Sequence, residues 1–266
     1  MATQGTAERA GGRARADIHA RTLRKDRWWA APAVTFAVLL AFVVYSTWAV
    51  LVNKDYFAEP YLSPFYSPCF GSTCPAAVQW FGVPMPAFLT PAIIIIIVPL
   101  GFRFTCYYYR KAYYRSFWQS PPGCAVQEPH RKYTGERRFP LILQNVHRYF
   151  LYLALILNCI LTYDAVIAFR DHEGNWGHAG VGTLVLVINA ITLWLYTLSC
   201  HSCRHSVGGR LNHFSKHPVR YKLWTWVSKL NERHMTFAWI SLVWVALSDL
   251  YVRLYASGTI PDIKFF

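Results

Sequence analysis

The chain has 266 residues, 54% of them apolar and 17% aromatic, against only 15% charged. Lys and Arg number 27 and Asp and Glu 13, a formal net charge of +14. This composition excludes an ordinary soluble domain and a disordered chain, because so much apolar surface needs lipid as its solvent.

Apolar stretches long enough to cross about 30 Å of hydrocarbon, at about 20 residues each, fall near 29–52, 86–109, 142–168, 179–200 and 236–256. They predict an all-α integral membrane protein, a five-transmembrane-helix bundle forming one membrane domain over 28–256. A basic segment, 1–27, precedes it and a short tail, 257–266, follows. The first stretch begins at Trp28 and lacks a small-residue cleavage pattern before Asn53, so it reads as a mature helix rather than a signal peptide. Residues 1–20, rich in Ala, Gly and Arg, have little to bury and are expected to stay disordered without a partner.

Orientation follows from the cations. Segments 1–27, 103–148 and 204–233 hold 7, 9 and 7 Lys and Arg, leaving only Lys54, Arg170, Arg253 and Lys264 elsewhere. The 23 all fall on the side of the amino terminus, so that side is expected in the cytoplasm and the carboxy terminus outside. Charges that flank spans, with no separate basic domain, argue against nucleic acid and for anionic membrane lipid or an acidic partner. Between the first two spans, loop 53–85 carries enough Pro, Tyr, Phe and Trp to form a folded cap on the outer face. Its PCFGSTC segment offers a short disulfide between Cys69 and Cys74, with two free thiols as the alternative.

On the cytoplasmic side Cys106 ends the second span, His147 begins the third, Cys200-His201-Ser202-Cys203-Arg204-His205 closes the fourth and His234 opens the fifth. Disulfides do not persist there, and thiolates with imidazoles at one depth suit iron or zinc. Cys200 and Cys203 share a helix face if the helix continues through them. The competing reading makes the cysteines small packing residues and the histidines interfacial polar groups. In GFRFTCYYYR, Arg103 lies one turn before Cys106 and needs either an anionic partner or a path to the interface. Farther out, Asp164 and Asp249 lie within spans, with Arg170 and Arg253 as expected partners, the latter at i,i+4. Asn158 and Asn189 read as interhelical hydrogen-bonding groups.

Five spans, this redox-ligand zone and stretches such as QNVHRYFLYLALILNC and NERHMTFAWISLVW resemble the five-helix, single-chain membrane anchor of bacterial succinate dehydrogenase and fumarate reductase, the quinone-reactive subunit of respiratory complex II. The resemblance covers about residues 20–260. It implies a multi-pass protein of the bacterial cytoplasmic membrane that holds a flavoprotein and an iron-sulfur subunit on the cytoplasmic face, and it allows a higher oligomer of that complex. It also implies electron transfer to menaquinone or ubiquinone, catalysis of succinate oxidation residing in the partner subunits.

The commoner members carry haem b between histidine pairs, but here no histidine lies deep in a span, and His172 and His178 sit in a short outer loop. A haem b between His147 and His234 remains an alternative to a proximal [2Fe-2S] cluster in the Rieske manner. Its ligands would come from Cys106, Cys200, Cys203, His147, His205 and His234. Arg103, Tyr108, Arg110 and Trp29 are the expected quinone-pocket residues. A haem-bearing anchor of another respiratory oxidoreductase is a second possibility. A small transporter or channel is a third, although few polar residues are available to line a path and there is no internal repeat.

Overall fold

The structure, a computed structural model, describes residues 24–70, 79–81, 90–129, 139–171 and 173–265. Expectations for residues 1–20, Cys74 and His172 lie outside these. Helix α1 (Ala30–Val52) is followed by a cap containing the two-residue strands β1 (Phe57–Ala58) and β2 (Tyr61–Leu62), a 3-10 turn at Pro64–Tyr66, and β3 (Cys69–Phe70) paired with β4 (Gln79–Phe81). Then come α2 (Pro91–Ile95), α3 (Ile97–Thr105), α4 (Tyr107–Tyr113) running into a π turn at Tyr114–Trp118, α5 (Phe139–Ile167), α6 (Val181–Leu198), α7 (His201–Gly208), α8 (Pro218–Asn231) and α9 (His234–Ala256).

Among the described residues four helices, α1, α5, α6 and α9, are long and apolar enough to cross a membrane. The fifth expected span is not one helix. It bends by 78° between Pro91–Thr105 and Tyr107–Trp118, and the count reaches five only if this pair is a single broken span. The hinge is Cys106, whose backbone is extended (φ −66°, ψ 131°) between two helical residues. A similar break occurs at Cys200 (φ −62°, ψ 140°), which lies between the end of α6 at Leu198 and the start of α7 at His201.

The bundle is assembled by stripes at helical spacing. Leu186, Asn189, Ala190 and Leu193 on α6 and Ala238, Leu242, Val245 and Val252 on α9 are buried, and these two helices form the most extensive contact in the molecule. In contrast α1 buries only Leu39, Ser46, Ala49 and Val50, as suits a peripheral helix whose remaining face meets lipid.

The described part of the segment after α1 is held by side-chain contacts. Tyr66 is fully buried and its phenol donates to the carbonyls of Ala49 and Val50 at 3.1 Å each, closing the carboxy end of α1. Cys69 is disulfide-bonded, although its expected partner lies outside the described residues. Tyr61 joins the cap to the tail, donating to Asp262 at 2.6 Å and lying 2.9 Å from His178 Nε2. Burial would raise the Asp262 carboxyl, but bonds from Tyr251, Tyr61 and the Gly182 amide hold it below the usual carboxylate range. Gly182 lies under the Tyr61 ring, where a Cβ would come within 2.5 Å of ring carbons. Gly182→Ala is therefore expected to cost about 1–3 kcal/mol of stability, read as an earlier denaturant midpoint in detergent, and an unchanged midpoint would refute this close packing.

The outer carboxylates divide. Asp249 accepts from Arg253 Nε at 2.8 Å, the i,i+4 pair expected. Asp164 instead accepts from Ser67 of the cap, while Arg170 stacks over Trp176 at 4.4 Å. The expected Asp164–Arg170 pair is thus replaced by a tertiary contact. Asn158 makes its interhelical bonds, donating to Leu193 O at 3.3 Å and Thr197 Oγ1 at 2.9 Å on α6. Among the described residues Asn189 does not: its buried side-chain oxygen has no hydrogen-bond partner.

Candidate functional site

The two backbone breaks lie at the same end of the bundle and turn their cysteines inward. Both thiols are almost fully buried, at 2% and 1% exposure for Cys106 and Cys200, as are His147 and His234 at 6% and 1%. His147 Nε2 lies 3.1 Å from Cys200 Sγ, and His234 Nε2 lies 3.5 Å from Cys106 Sγ.

The remaining nitrogen of each ring is also committed. His147 Nδ1 is 2.8 Å from Thr105 Oγ1, and His234 Nδ1 is 2.7 Å from Ser199 Oγ. Each hydroxyl already donates its proton to a carbonyl, Thr105 to Gly101 and Ser199 to Tyr196, so each must accept from the imidazole. This assignment puts the proton on Nδ1 and leaves a lone pair on Nε2, facing sulfur, in both histidines. The contacts close a ring with two equivalent halves: Thr105–Cys106 joins His234, which joins Ser199–Cys200, which joins His147, which returns to Thr105.

Helix ends supply further polar groups. The Ser202 amide donates to Cys200 Sγ at 3.4 Å, and the amides of Tyr108 and Tyr109 face Cys106. Aromatic rings wall the site from lipid and water. Phe102 stacks on His147 at 4.7 Å, Tyr196 stacks on His234 at 5.2 Å, and Tyr108 tilts against His234 at 5.3 Å.

The structure brings together four of the six expected metal ligands. Cys203 lies in the same apolar cluster, one turn along α7, and burial pushes its thiol up. Because α6 ends at Leu198 and α7 begins at His201, the two cysteines do not share a face of one continuing helix. His205 is exposed on α7 and bonded by Arg148. Among the described residues no three His, Cys, Asp or Glu side chains are arranged to hold a single metal ion.

Of the expected pocket residues, Arg103 is half-buried and bonds Tyr109 O–H, the Ala238 carbonyl at 3.3 Å and Ser241 Oγ at 3.2 Å. It also lies over the Tyr196 ring at 4.8 Å. Among the described residues no carboxylate lies within ion-pair distance of it. Tyr108 is half-buried beside His234, Arg110 is buried over the Tyr107 ring at 5.5 Å, and Trp29 is exposed at the start of α1. The residues that the sequence reading missed are Thr105, Ser199 and Tyr196. The first two carried a usable signal, since each cysteine at a break is preceded by a hydroxyl residue.

Fold and site together define a polytopic helical membrane subunit with a buried thiol–imidazole ring at one end of its bundle. The sequence profile of the actinobacterial succinate dehydrogenase subunit SdhC matches residues 30–258, and the chain belongs to that family. It is a membrane anchor subunit of succinate dehydrogenase, respiratory complex II, and a multi-pass protein of the bacterial inner membrane. A chain of the structure titled Mycobacterium smegmatis Sdh1 complex in the apo form is similar, at 53% identity and a TM-score of 0.88, over 98% of this chain and 100% of that one. No curated protein sequence matches.

Proposed function

We propose that this SdhC subunit carries electrons from a cytoplasmic iron-sulfur subunit to menaquinone or ubiquinone through a proximal [2Fe-2S] centre held by Cys106, Cys200, His147 and His234. The observation that carries this reading is the closed ring of two Cys–His contacts, with both imidazoles tied through Nδ1 and open at Nε2. A Rieske-type centre needs two protein ligands on each iron, so a site without three donors around one point is compatible with it. Two thiols and two imidazoles are the donor set such a centre takes.

When bound, the centre would accept and release one electron at a time. The chain's own residues account for the rest. Thr105 and Ser199 hold the imidazoles in the ligating tautomer, the Ser202 amide donates to Cys200 Sγ, and the Phe102 and Tyr196 rings exclude water. Arg103 brings a positive charge that has no carboxylate partner among the described residues, which suits an anionic centre nearby.

Haem b between His147 and His234 fits less well, since a cysteine sulfur rather than room for a macrocycle stands before each Nε2. Quinone reduction takes up two electrons and two protons. Tyr108, half-buried against His234, is the pocket residue next to the ring, with Arg103, Arg110 and Trp29 as the other candidates.

The flavoprotein and iron-sulfur subunits are assigned to the face bearing the 23 clustered cations, taken as cytoplasmic by the positive-inside tendency, with the bent pair as the fifth span. The similarity to a chain of an Sdh1 complex supports this assembly. The test is iron, labile sulfide and haem in the complex purified anaerobically in mild detergent, compared with its separated soluble subunits. Iron and sulfide retained by the membrane subunit without a pyridine haemochrome are expected. A haemochrome signal would move the assignment to haem, and absence of both would leave an anchor alone.

A further inference from the structure

We propose that Arg103 and Tyr109 form a brace across the broken span that positions Cys106 against His234. Its role toward a metal centre rests on the [2Fe-2S] reading above, whereas the brace itself rests on contacts within the chain. A bend of 78° inside a membrane span interrupts backbone hydrogen bonds, and it is tolerated where neighbouring helices hold it. Arg103 precedes the extended Cys106 and Tyr109 follows it at equal distance along the chain, and the guanidinium donates to the Tyr109 hydroxyl across the break. Both legs then end on α9. The Tyr109 hydroxyl donates to the Ala238 carbonyl at 2.5 Å, and Arg103 donates to the same carbonyl at 3.3 Å and to Ser241 Oγ at 3.2 Å. Ala238 lies about one helical turn beyond His234, whose Nε2 meets Cys106 Sγ at 3.5 Å.

Because both legs meet one carbonyl, the residue between them is fixed along α9 and cannot slide past His234 without breaking several bonds together. The legs are stiff. Tyr109 is 5% exposed, with its ring edge-on to Tyr196 and tilted against Trp239 at 6.0 Å each, and the Arg103 guanidinium lies over the Tyr109 ring at 5.5 Å and the Tyr196 ring at 4.8 Å. Bonds from a charged donor are roughly twice as strong as neutral ones, and stacking on two rings limits the guanidinium's freedom to leave. The other break is held differently, since Cys200 is met by His147 from α5 and by the Ser202 amide. The two cysteines of the ring therefore give a comparison within one molecule: loss of the brace should release Cys106 and spare Cys200.

The test is the rate of alkylation by iodoacetamide in the purified complex after chelation, read cysteine by cysteine by mass spectrometry. Tyr109→Phe keeps the ring and removes the hydroxyl that the two legs share. Cys106 is expected to react about 3- to 10-fold faster than in the wild type, with Cys200 at its wild-type rate. An unchanged Cys106 rate, or an equal rise at both cysteines, would overturn the brace. Gly182→Ala, at the opposite end of the bundle, is expected to keep the wild-type ratio of the two rates, and a shifted ratio there would overturn it too. Should Tyr109→Phe fail to assemble, Ser241→Ala frees one anchor of Arg103 and is expected to raise the Cys106 rate alone; an unchanged rate again overturns the proposal. In the unchelated complex, a histidine-coupled paramagnetic signal is expected to shift its midpoint in Tyr109→Phe and to lie between that value and wild type in Arg103→Lys, which keeps a charged donor. An unshifted midpoint would remove the positioning role toward the centre. If wild-type complex lacks the signal, the [2Fe-2S] reading fails, and the alkylation rates still decide the brace.

Discussion

Cys200→Ser is expected to remove iron and labile sulfide from the membrane subunit and to abolish the histidine-coupled paramagnetic signal, while succinate oxidation by a soluble dye acceptor continues in the partner subunits. The argument is one of chemistry and position. A serine hydroxyl is not ionised at neutral pH and offers a hard oxygen where iron prefers sulfur. Cys200 also occupies the break before α7, so the oxygen would lie where the Ser202 amide now meets sulfur. Electron delivery to quinone should fail with the centre.

The outer partners should show a graded form of the same loss. Thr105→Val and Ser199→Ala each remove the acceptor that holds a proton on Nδ1, freeing the ring to take the tautomer that blocks Nε2. Metal affinity is then expected to fall by roughly 10–100-fold, less than for Cys200→Ser. Iron content after dialysis against a graded chelator series would rank the variants. A Cys200→Ser complex with wild-type iron and signal would eliminate the proposed ligand set.

The span positions were legible because lipid imposes a long apolar run that local composition reports directly. α1, α5, α6 and α9 fall within a few residues of the stretches read from hydropathy. The break at Cys106 was not legible. Tyr107, Tyr108 and Tyr109 continue the apolar pattern without glycine or proline, while the extended residue between the two helices has its thiol against His234 from another helix. The six ligand candidates could not be reduced for the same reason. Whether Cys200 and Cys203 share a face depends on whether the helix continues, and it breaks at Cys200, whose thiol meets His147 from another helix.

Asp164 illustrates the opposite error. Arg170 was the nearest cation in sequence, yet the carboxylate is met by Ser67, which the cap brings in from 97 residues away. Tyr196 gave no signal at all, since an aromatic residue in an apolar helix ordinarily packs. Only the unpartnered hydroxyl distinguishes it.

Asp249→Ala is expected to destabilise the subunit by about 3–5 kcal/mol, because it leaves the Arg253 cation buried without its counter-charge. Both side chains are nearly inaccessible, at 0% and 5% exposure. The carboxylate also accepts from Tyr45 O–H at 2.6 Å and from Ser63, so it joins α1, the cap and α9 at one point. Arg253 ties the same elements from the other side, donating to the carbonyls of Lys54 and Ala49 at 2.6 Å each and lying over the Trp48 ring at 5.3 Å. Arg253→Met should therefore cost a similar amount, by stranding the carboxylate in apolar surroundings. The double variant Asp249→Leu with Arg253→Met removes both charges, and its cost should be well below the sum of the two, as for other buried pairs replaced by apolar residues. Denaturant unfolding in detergent measures all three. Additive costs would mean that the carboxylate and guanidinium act through separate hydrogen bonds rather than as a pair.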